Sequence, residues 1–306
     1  MTIAVFGSIN MDITAYMERL PKPGETLQGR EYKLGLGGKG ANQAVAARRL
    51  GSDVRFICRL GADDFAESAA RELRTYGVDL NLVLRDAKGA TGIAIINVGE
   101  SGENCISLIG GSNLKLDQSD VARGSSSLAS AKVLLLQLEV PLAASLQAAA
   151  IVRQHGGIVI LDPAPAPREG LSQAVLQGVD IITPNESEAA SILGWHPETL
   201  DDGLEAAQEL RKKGAATAIV KLGAKGLAVA SADAAGIIAA FKVDAIDTVA
   251  AGDCFNGALA HALEKAMPIM DAARFASACA ALSTTRKGAA SAAPTLAEAE
   301  ALLAQY

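Results

Sequence analysis

The feature that most restricts the architecture of this chain is a series of short, almost uninterrupted apolar runs. They lie at residues 3–6, 54–58, 133–138, 158–162, 181–183, 218–221 and 227–230, with helix-like stretches between most of them. A strand that is apolar on both faces must be covered on both, which βαβ crossovers achieve. The pattern therefore predicts an α/β fold with a mostly parallel sheet between two helical layers. In such sheets ligands collect where the strands end. The exits here are polar: Ser8 and Asn10 after the first run, Gln137 and Glu139 around the third, Asp162 closing the fourth, Asn185 and Glu186 after the fifth. Residues 13–33 and 91–109 break the rhythm, with alternating character and Gly and Pro punctuation in place of a helical period. They read as a small inserted sheet, a lid or an interface, which would leave an apolar face to cover. Residues 294–306 read as a closing helix.

A chain of 306 residues can form one large α/β domain or two smaller ones. Its formal charge of −6 offers no basic patch for nucleic acid and no polybasic membrane anchor, so small molecules are the expected partners. Residues 1–7 lack the basic and long apolar regions of a signal peptide, and no apolar run approaches the ~20 residues of a membrane span. The expectation is a soluble, cytoplasmic protein. Cys58, Cys105, Cys254 and Cys279 lie far apart without a Cys-x-x-Cys pair, so reduced core thiols are expected rather than zinc or disulfides. Cys254 as a nucleophile would need an activating neighbour, which His155, His196 and His261 do not supply in sequence.

Five segments carry chemistry. Residues 247–257 read Asp-Thr-Val-Ala-Ala-Gly-Asp-Cys-Phe-Asn-Gly, a small-residue turn opening a helix with Asp253 at its mouth. Amides at a helix start hold an anion, while a carboxylate there either caps the helix or takes a proton from a hydroxyl that attacks phosphate. Residues 35–44, Gly-Leu-Gly-Gly-Lys-Gly-Ala-Asn-Gln-Ala, lack the Walker spacing and the dinucleotide fingerprint, and lead into an apolar helix at 41–50. Lys39 and Asn42 there suit a polyhydroxylated ligand, and a flexible turn with a solvated lysine is the alternative. Asn10 and Asp12 suit sugar hydroxyls or a turn. Asn185 and Glu188 suit a hydrated Mg²⁺ beside a triphosphate, or a capped helix start, and residues 221–226 suit a nucleotide edge or a hairpin.

The ordered set Gly-Ser-Ile-Asn-x-Asp (7–12), Gly-Gly-Lys-Gly-Ala-Asn-Gln-Ala (37–44), Gln-Leu-Glu (137–139), Pro-Ala-Pro-Ala (163–166), Pro-Asn-Glu-x-Glu (184–188), Leu-Gly-x-x-Gly (222–226), Asp-Thr-x-Ala-Ala-Gly-Asp-x-Phe-x-Gly (247–257) and Thr-Arg-Lys-Gly-Ala (285–289) resembles the PfkB family of carbohydrate kinases over essentially the whole chain. The resemblance implies one domain over 1–306, a ribokinase-like three-layer α/β/α sandwich with a small β-sheet lid. It also implies ATP-dependent phosphorylation of the 5-hydroxyl of D-ribose. Asp253 would be the base, with Ala250, Ala251 and Gly252 as the anion hole. Asn10, Asp12, Gly38, Lys39, Asn42 and Glu139 would bind the sugar. ATP would lie against Asn185, Lys221, Gly223, Ala224, Gly226, Gly252, Asp253 and Ser277, with Mg²⁺ held through water by Asn185 and Glu188. A monovalent cation, usually K⁺, would sit with Asp247, Val249, Ser283, Arg286, Gly288 and Ala292, where it could order the anion-hole amides. A homodimer through the lid is implied as well.

Two departures from the family pattern stand out. A serine of the cation site falls at Ser291 by residue type but at Ala292 by alignment, and Lys221 and Ala224 replace hydroxyl residues in the nucleotide loop. Another acceptor, such as deoxyribose, fructose or a nucleoside, is the nearest alternative, and Asp12 with Gly38, Lys39 and Asn42 favours a small polyol over a nucleoside. A non-catalytic sensor on the same fold is the other, and the complete Ala-Ala-Gly-Asp turn argues against it.

Overall fold

The computed structural model describes residues 2–166 and 168–306. In chain order its strands are β1 (Thr2–Phe6), β2 (Asn10–Tyr16), β3 (Glu31–Gly37), β4 (Asp53–Leu60), β5 (Val83–Arg85), β6 (Gly92–Val98), β7 (Asn104–Ile109), β8 (Val133–Leu136), β9 (Ile158–Leu161), β10 (Ile181–Ile182), β11 (Thr217–Lys221), β12 (Gly226–Ala230) and β13 (Ala235–Ala239). Nine form one sheet in the order β13-β12-β11-β10-β9-β8-β1-β4-β5, parallel from β11 to β5. β12 and β13 run antiparallel. The run at 227–230 is thus not a further parallel strand, as its apolar character suggested. Only residues 222–225 separate β11 from β12, and a parallel return needs a crossover of about a dozen residues.

Alternation along β1 shows why both faces are apolar. Ile3 and Val5 pack with Ala44, Val45, Leu259 and Ala262 of the helices Lys39–Arg49 and Ala251–Glu264. Ala4 and Phe6 point the other way, onto Ala144, Ala148 and Val152 of the helix Leu142–Gln154. These four β1 side chains are fully buried, and each large one contributes about 1.5–3 kcal/mol. The predicted α/β/α sandwich is what forms. The closing helix spans Leu296–Leu303, its start fixed by reciprocal hydrogen bonds between Thr295 and Glu298. No helix among the described residues is long and apolar enough to cross a membrane.

The second sheet, ordered β3-β2-β6-β7, stands apart as a lid. Its strands begin earlier and end later than the first of the two expected segments: β2 starts at Asn10 and β3 runs to Gly37, paired in register with Asn10. The extension matters, because it puts Asn10 and Asp12 on a strand of the lid and lets β3 run straight into the helix at Lys39. Asp12 shares a sheet face with Ala94 and Leu108. Farther out on that face Ile106 is 56% exposed and Leu108 45%.

Candidate active site

The helix Ala251–Glu264 begins at Ala250, which takes a left-handed conformation (φ 57°) and accepts the first helical hydrogen bond from Cys254 N at 2.9 Å. Such a conformation is strained for a residue with a Cβ, and it turns the chain sharply into the helix. The amide of Ala251 donates to Thr248 O at 3.3 Å. Those of Gly252 and Asp253, in the first turn, have no intrahelical acceptor and stand at the positive end of the helix dipole.

Asp253 does not cap this helix; its side chain turns into the protein. It is buried, and its two carboxylate oxygens accept from neighbouring amides of one helix: Oδ2 from Asn42 Nδ2 at 3.0 Å, Oδ1 from Gln43 Nε2 at 3.1 Å. Burial pushes its pKa up to about 6, against the pull of the Lys39 ammonium; Asp162 adds to the rise, and the two amide donors restrain it. A carboxylate that titrates near 6 is ionised at neutral pH yet basic enough to accept a proton.

The residues expected to hold a sugar surround this carboxylate. Asp12 lies near enough to Glu139, Asp253 and Glu72 that burial and these three charges push its pKa up to about 7. Glu139 accepts from Lys39 N at 3.1 Å and from Ser8 Oγ at 2.5 Å, which ties the third strand exit to the glycine-rich turn. The close approach requires Gly40, where a Cβ would stand 2.7 Å from Ser8 N. Gly38 precedes the helix with φ 86°. Burial works against the charge on Lys39, but Asp253, Asp162, Glu139 and Glu188 outweigh it and hold the pKa above the usual lysine range. Asn10 Oδ1 accepts from Asn113 Nδ2 at 2.7 Å.

Beside Asp253 opens a cleft of about 750 Å³, lined by every residue expected to meet the nucleotide: Asn185, Lys221, Gly223, Ala224, Gly226, Gly252 and Ser277. That volume is in the range of a cofactor-sized site. Lys221 Nζ lies 3.3 Å from Asp162 Oδ1 and faces the Phe255 ring. Asn185 and Glu188 form a capping box at the start of the helix Glu186–Leu193: Asn185 N donates to Glu188 Oε2 and Glu188 N to Asn185 Oδ1, both at 2.8 Å. Burial raises the pKa of Glu188, with the Lys221 charge opposing.

The residues expected to hold a cation flank the turn from behind. Asp247 Oδ1 accepts from Val249 N and Oδ2 from Gly288 N, both at 3.0 Å, and Asp247 N donates to Thr284 O at 3.0 Å. Ser283 Oγ donates to Ala280 O at 2.8 Å, and the Arg286 side chain pairs with Glu298 at 2.6 Å, so both side chains are engaged within the protein. Ala292 is buried, whereas the hydroxyl of Ser291 would stand 2.4 Å from a Cβ on Gly288.

Three site residues escaped the sequence reading. Gln43 bridges Asp253 and Asp162, and Asn113 clamps β2 by accepting from Ile9 N and donating to Ile9 O. Asp162 was legible only as a polar strand exit, and Gln43 only as the neighbour of Asn42. The cysteines need one correction: Cys58, Cys254 and Cys279 are buried, but Cys105 is exposed on β7. Cys254 is no nucleophile, since burial pushes its thiol up to about 12 and it donates to Cys279 O at 3.3 Å.

Residues 2–296 match the model of the pfkB family carbohydrate kinases. A ribokinase of Haemophilus influenzae is 42% identical, covering 96% of this chain and 95% of its own. A deoxyribokinase of Salmonella typhi is 38% identical, covering 97% and 96%. The solved structure of Arabidopsis thaliana ribokinase complexed with ribose and ATP superposes with a TM-score of 0.90 at 32% identity, covering 98% of each chain.

Proposed function

The chain belongs to the pfkB family of carbohydrate kinases, and from that membership we propose that it transfers the γ-phosphate of ATP to the 5-hydroxyl of D-ribose, giving ribose 5-phosphate and ADP. The observation that carries the reading is the position of Asp253, between the cleft lined by the expected nucleotide residues and the carboxylates of Asp12 and Glu139. Asp253 takes the proton of the 5-hydroxyl as its oxygen attacks the γ-phosphorus, and the bond to the β-phosphate oxygen breaks. The amides of Gly252 and Asp253, with Lys221 and Lys39, hold the charge on the phosphoryl oxygens. Ala251, expected in the anion hole, has its amide on Thr248 O, so it and Ala250 shape the turn and the Asp253 amide joins Gly252 instead. Asn10, Asp12, Gly38, Asn42 and Glu139 hold the other hydroxyls, and positioning supplies most of the acceleration.

The donor sets suit the metal ions of this chemistry. Among the described residues no three His, Cys, Asp or Glu side chains gather as a cage, which fits a Mg²⁺ that takes most of its ligands from phosphates and water. Asn185 and Glu188 would hold it through water, since the capping box leaves lone pairs on the Glu188 carboxylate. Asp247, likewise with spare lone pairs, and the carbonyls of Val249, Ser283, Arg286, Gly288 and Ala292 would hold K⁺ behind the turn. Either ion would supply positive charge near the transferred phosphoryl group. We place the enzyme in the cytoplasm, where ATP is available, as a homodimer that covers Ile106 and Leu108 of the lid.

The deciding assay is ADP release from MgATP across a panel of ribose, 2-deoxyribose, fructose and nucleosides. Ribose should give the highest kcat/KM. A higher value for 2-deoxyribose would move the assignment to the acceptor named for the Salmonella relative, and no turnover on any acceptor would support a sensor.

A further inference from the structure

We infer that Gln43 is a positioning residue for the phosphoryl-transfer base, a bridge whose single amide nitrogen holds the Asp253 and Asp162 carboxylates and whose orientation is fixed by Gln137. Gln43 Nε2 lies 3.1 Å from Asp253 Oδ1 and 3.1 Å from Asp162 Oδ2. Gln137 Nε2 donates to Gln43 Oε1 at 2.7 Å. Both glutamines are fully buried, so no water replaces a lost bond cheaply.

The arrangement is directional. A free glutamine amide can present oxygen or nitrogen; oxygen toward two carboxylates would repel both. With the Gln137 donor on its oxygen, Gln43 has only its NH₂ left to face them, and two N–H bonds serve two acceptors. Close packing puts the bridge in place. A Cβ on Gly257 would stand 2.6 Å from Gln43 O and 2.6 Å from the Ala46 Cβ, so only glycine lets the helix Lys39–Arg49 lie this near the helix of Asp253. Asn42, the preceding residue, takes the other oxygen. Adjacent residues of one helix thus grip both oxygens of the base and fix its plane, and each oxygen keeps a lone pair for the proton.

The bridge also connects the two halves of the site. Asp162 accepts from Lys221 on the nucleotide side, at 3.3 Å. The line Lys221–Asp162–Gln43–Asp253 therefore sets where the base stands relative to the phosphate side. The charged groups facing Asp253 are Lys39 on the helix of Gln43, Asp162 at the exit of β9, Asp12 on β2 and, through Asp162, Lys221 on β11. Without the bridge, Asp253 loses a donor to its charged form, which raises its pKa.

The inference rests on the kinase reading, and the variants Gln43→Met and Gln137→Met test it. Gln43→Met keeps the length and removes both N–H bonds. The expected result is a fall in kcat on the order of 10²-fold, as for a base displaced by about 1 Å, with sugar and nucleotide KM within a few-fold of wild type. The acid limb of kcat should move up by about one pH unit. Gln137→Met leaves the bridge side chain but frees it to flip, and should give the same two changes at smaller size. A structural role alone would lower the melting temperature and leave kcat and the acid limb of the folded enzyme in place; that result, in either variant that folds, overturns the inference. A wild type inactive on ribose would refute the acceptor assignment only. The bridge would then be read without sugar, from the ¹³C titration of the Asp253 carboxyl. There an unmoved midpoint in Gln137→Met overturns it and an upward shift supports it.

Discussion

Replacing Asp253 by Asn separates the chemistry of this carboxylate from its cost to folding. The pKa of Asp253 rises from 3.8 to about 6 in the fold, a change of about two units, or roughly 3 kcal/mol. That figure already nets the attraction of Lys39 and the two amide donors, so it measures what ionising this buried group costs. The folded pKa lies above the unfolded one, and the folded state binds the extra proton between them. The cost is absent below about pH 4 and complete above about pH 6 to 7, and wild-type stability falls across that window. Asp253→Asn keeps the shape and carries no charge. It should match wild type in stability near pH 4 and exceed it by up to about 3 kcal/mol at pH 7.5, a melting temperature higher by about 5 °C in a chain of this size. Meanwhile kcat should fall about 10²- to 10⁴-fold, the worth of a general base, or about 3–5 kcal/mol of barrier. Calorimetric melts at pH 4 and 7.5, with ADP release at saturating sugar, read both. A kcat near wild type would remove Asp253 from the proton transfer. A melting difference that does not grow with pH would show that the carboxylate is not the buried, costly anion described.

Further outcomes follow from the same geometry. The kcat/KM of the wild type should fall below about pH 6, as Asp253 takes up a proton; a profile flat to pH 5 would contradict this. Lys221→Met removes a cation 3.3 Å from Asp162 at the phosphate side and should lower kcat on the order of 10²-fold, the cost of one oxyanion donor; unchanged kcat and nucleotide KM would refute that role. Asp247→Ala frees the amides of Val249 and Gly288 and should cost about tenfold in kcat through a loosened turn, with K⁺ activation lost and sugar KM unmoved; retained K⁺ activation would exclude it as the cation carboxylate. The double variant Ile106→Asp, Leu108→Asp should halve the solution mass by light scattering, and an unchanged mass would put any dimer interface elsewhere.

How much of this was legible in the chain depends on the range of the interaction. Continuous apolar runs dictate a sheet covered on both faces, because burial of each strand residue follows from its own side chain. The parallel core from β11 to β4 therefore came through, and only the short edge strand β5 did not. The turn at 247–257 was legible as a helix start, since its small residues are neighbours in sequence. Other features needed distant partners. Cys105 is exposed because β7 is the lid's edge strand.

The sequence by itself determined the layer architecture, the polar strand exits and the presence of a carboxylate at a helix mouth, all set by local composition and periodicity. It left open whether Asp253 capped that helix or acted as a base. The tertiary structure excluded the cap, by bringing Asn42 and Gln43 from about two hundred residues away onto both of its oxygens, so that the carboxylate faces inward, buried and raised in pKa. It likewise resolved Asn185 and Glu188 as a capping box that still borders the cleft. A side chain's direction and its pKa depend on what packs against it, and those neighbours belong to the fold rather than to the segment.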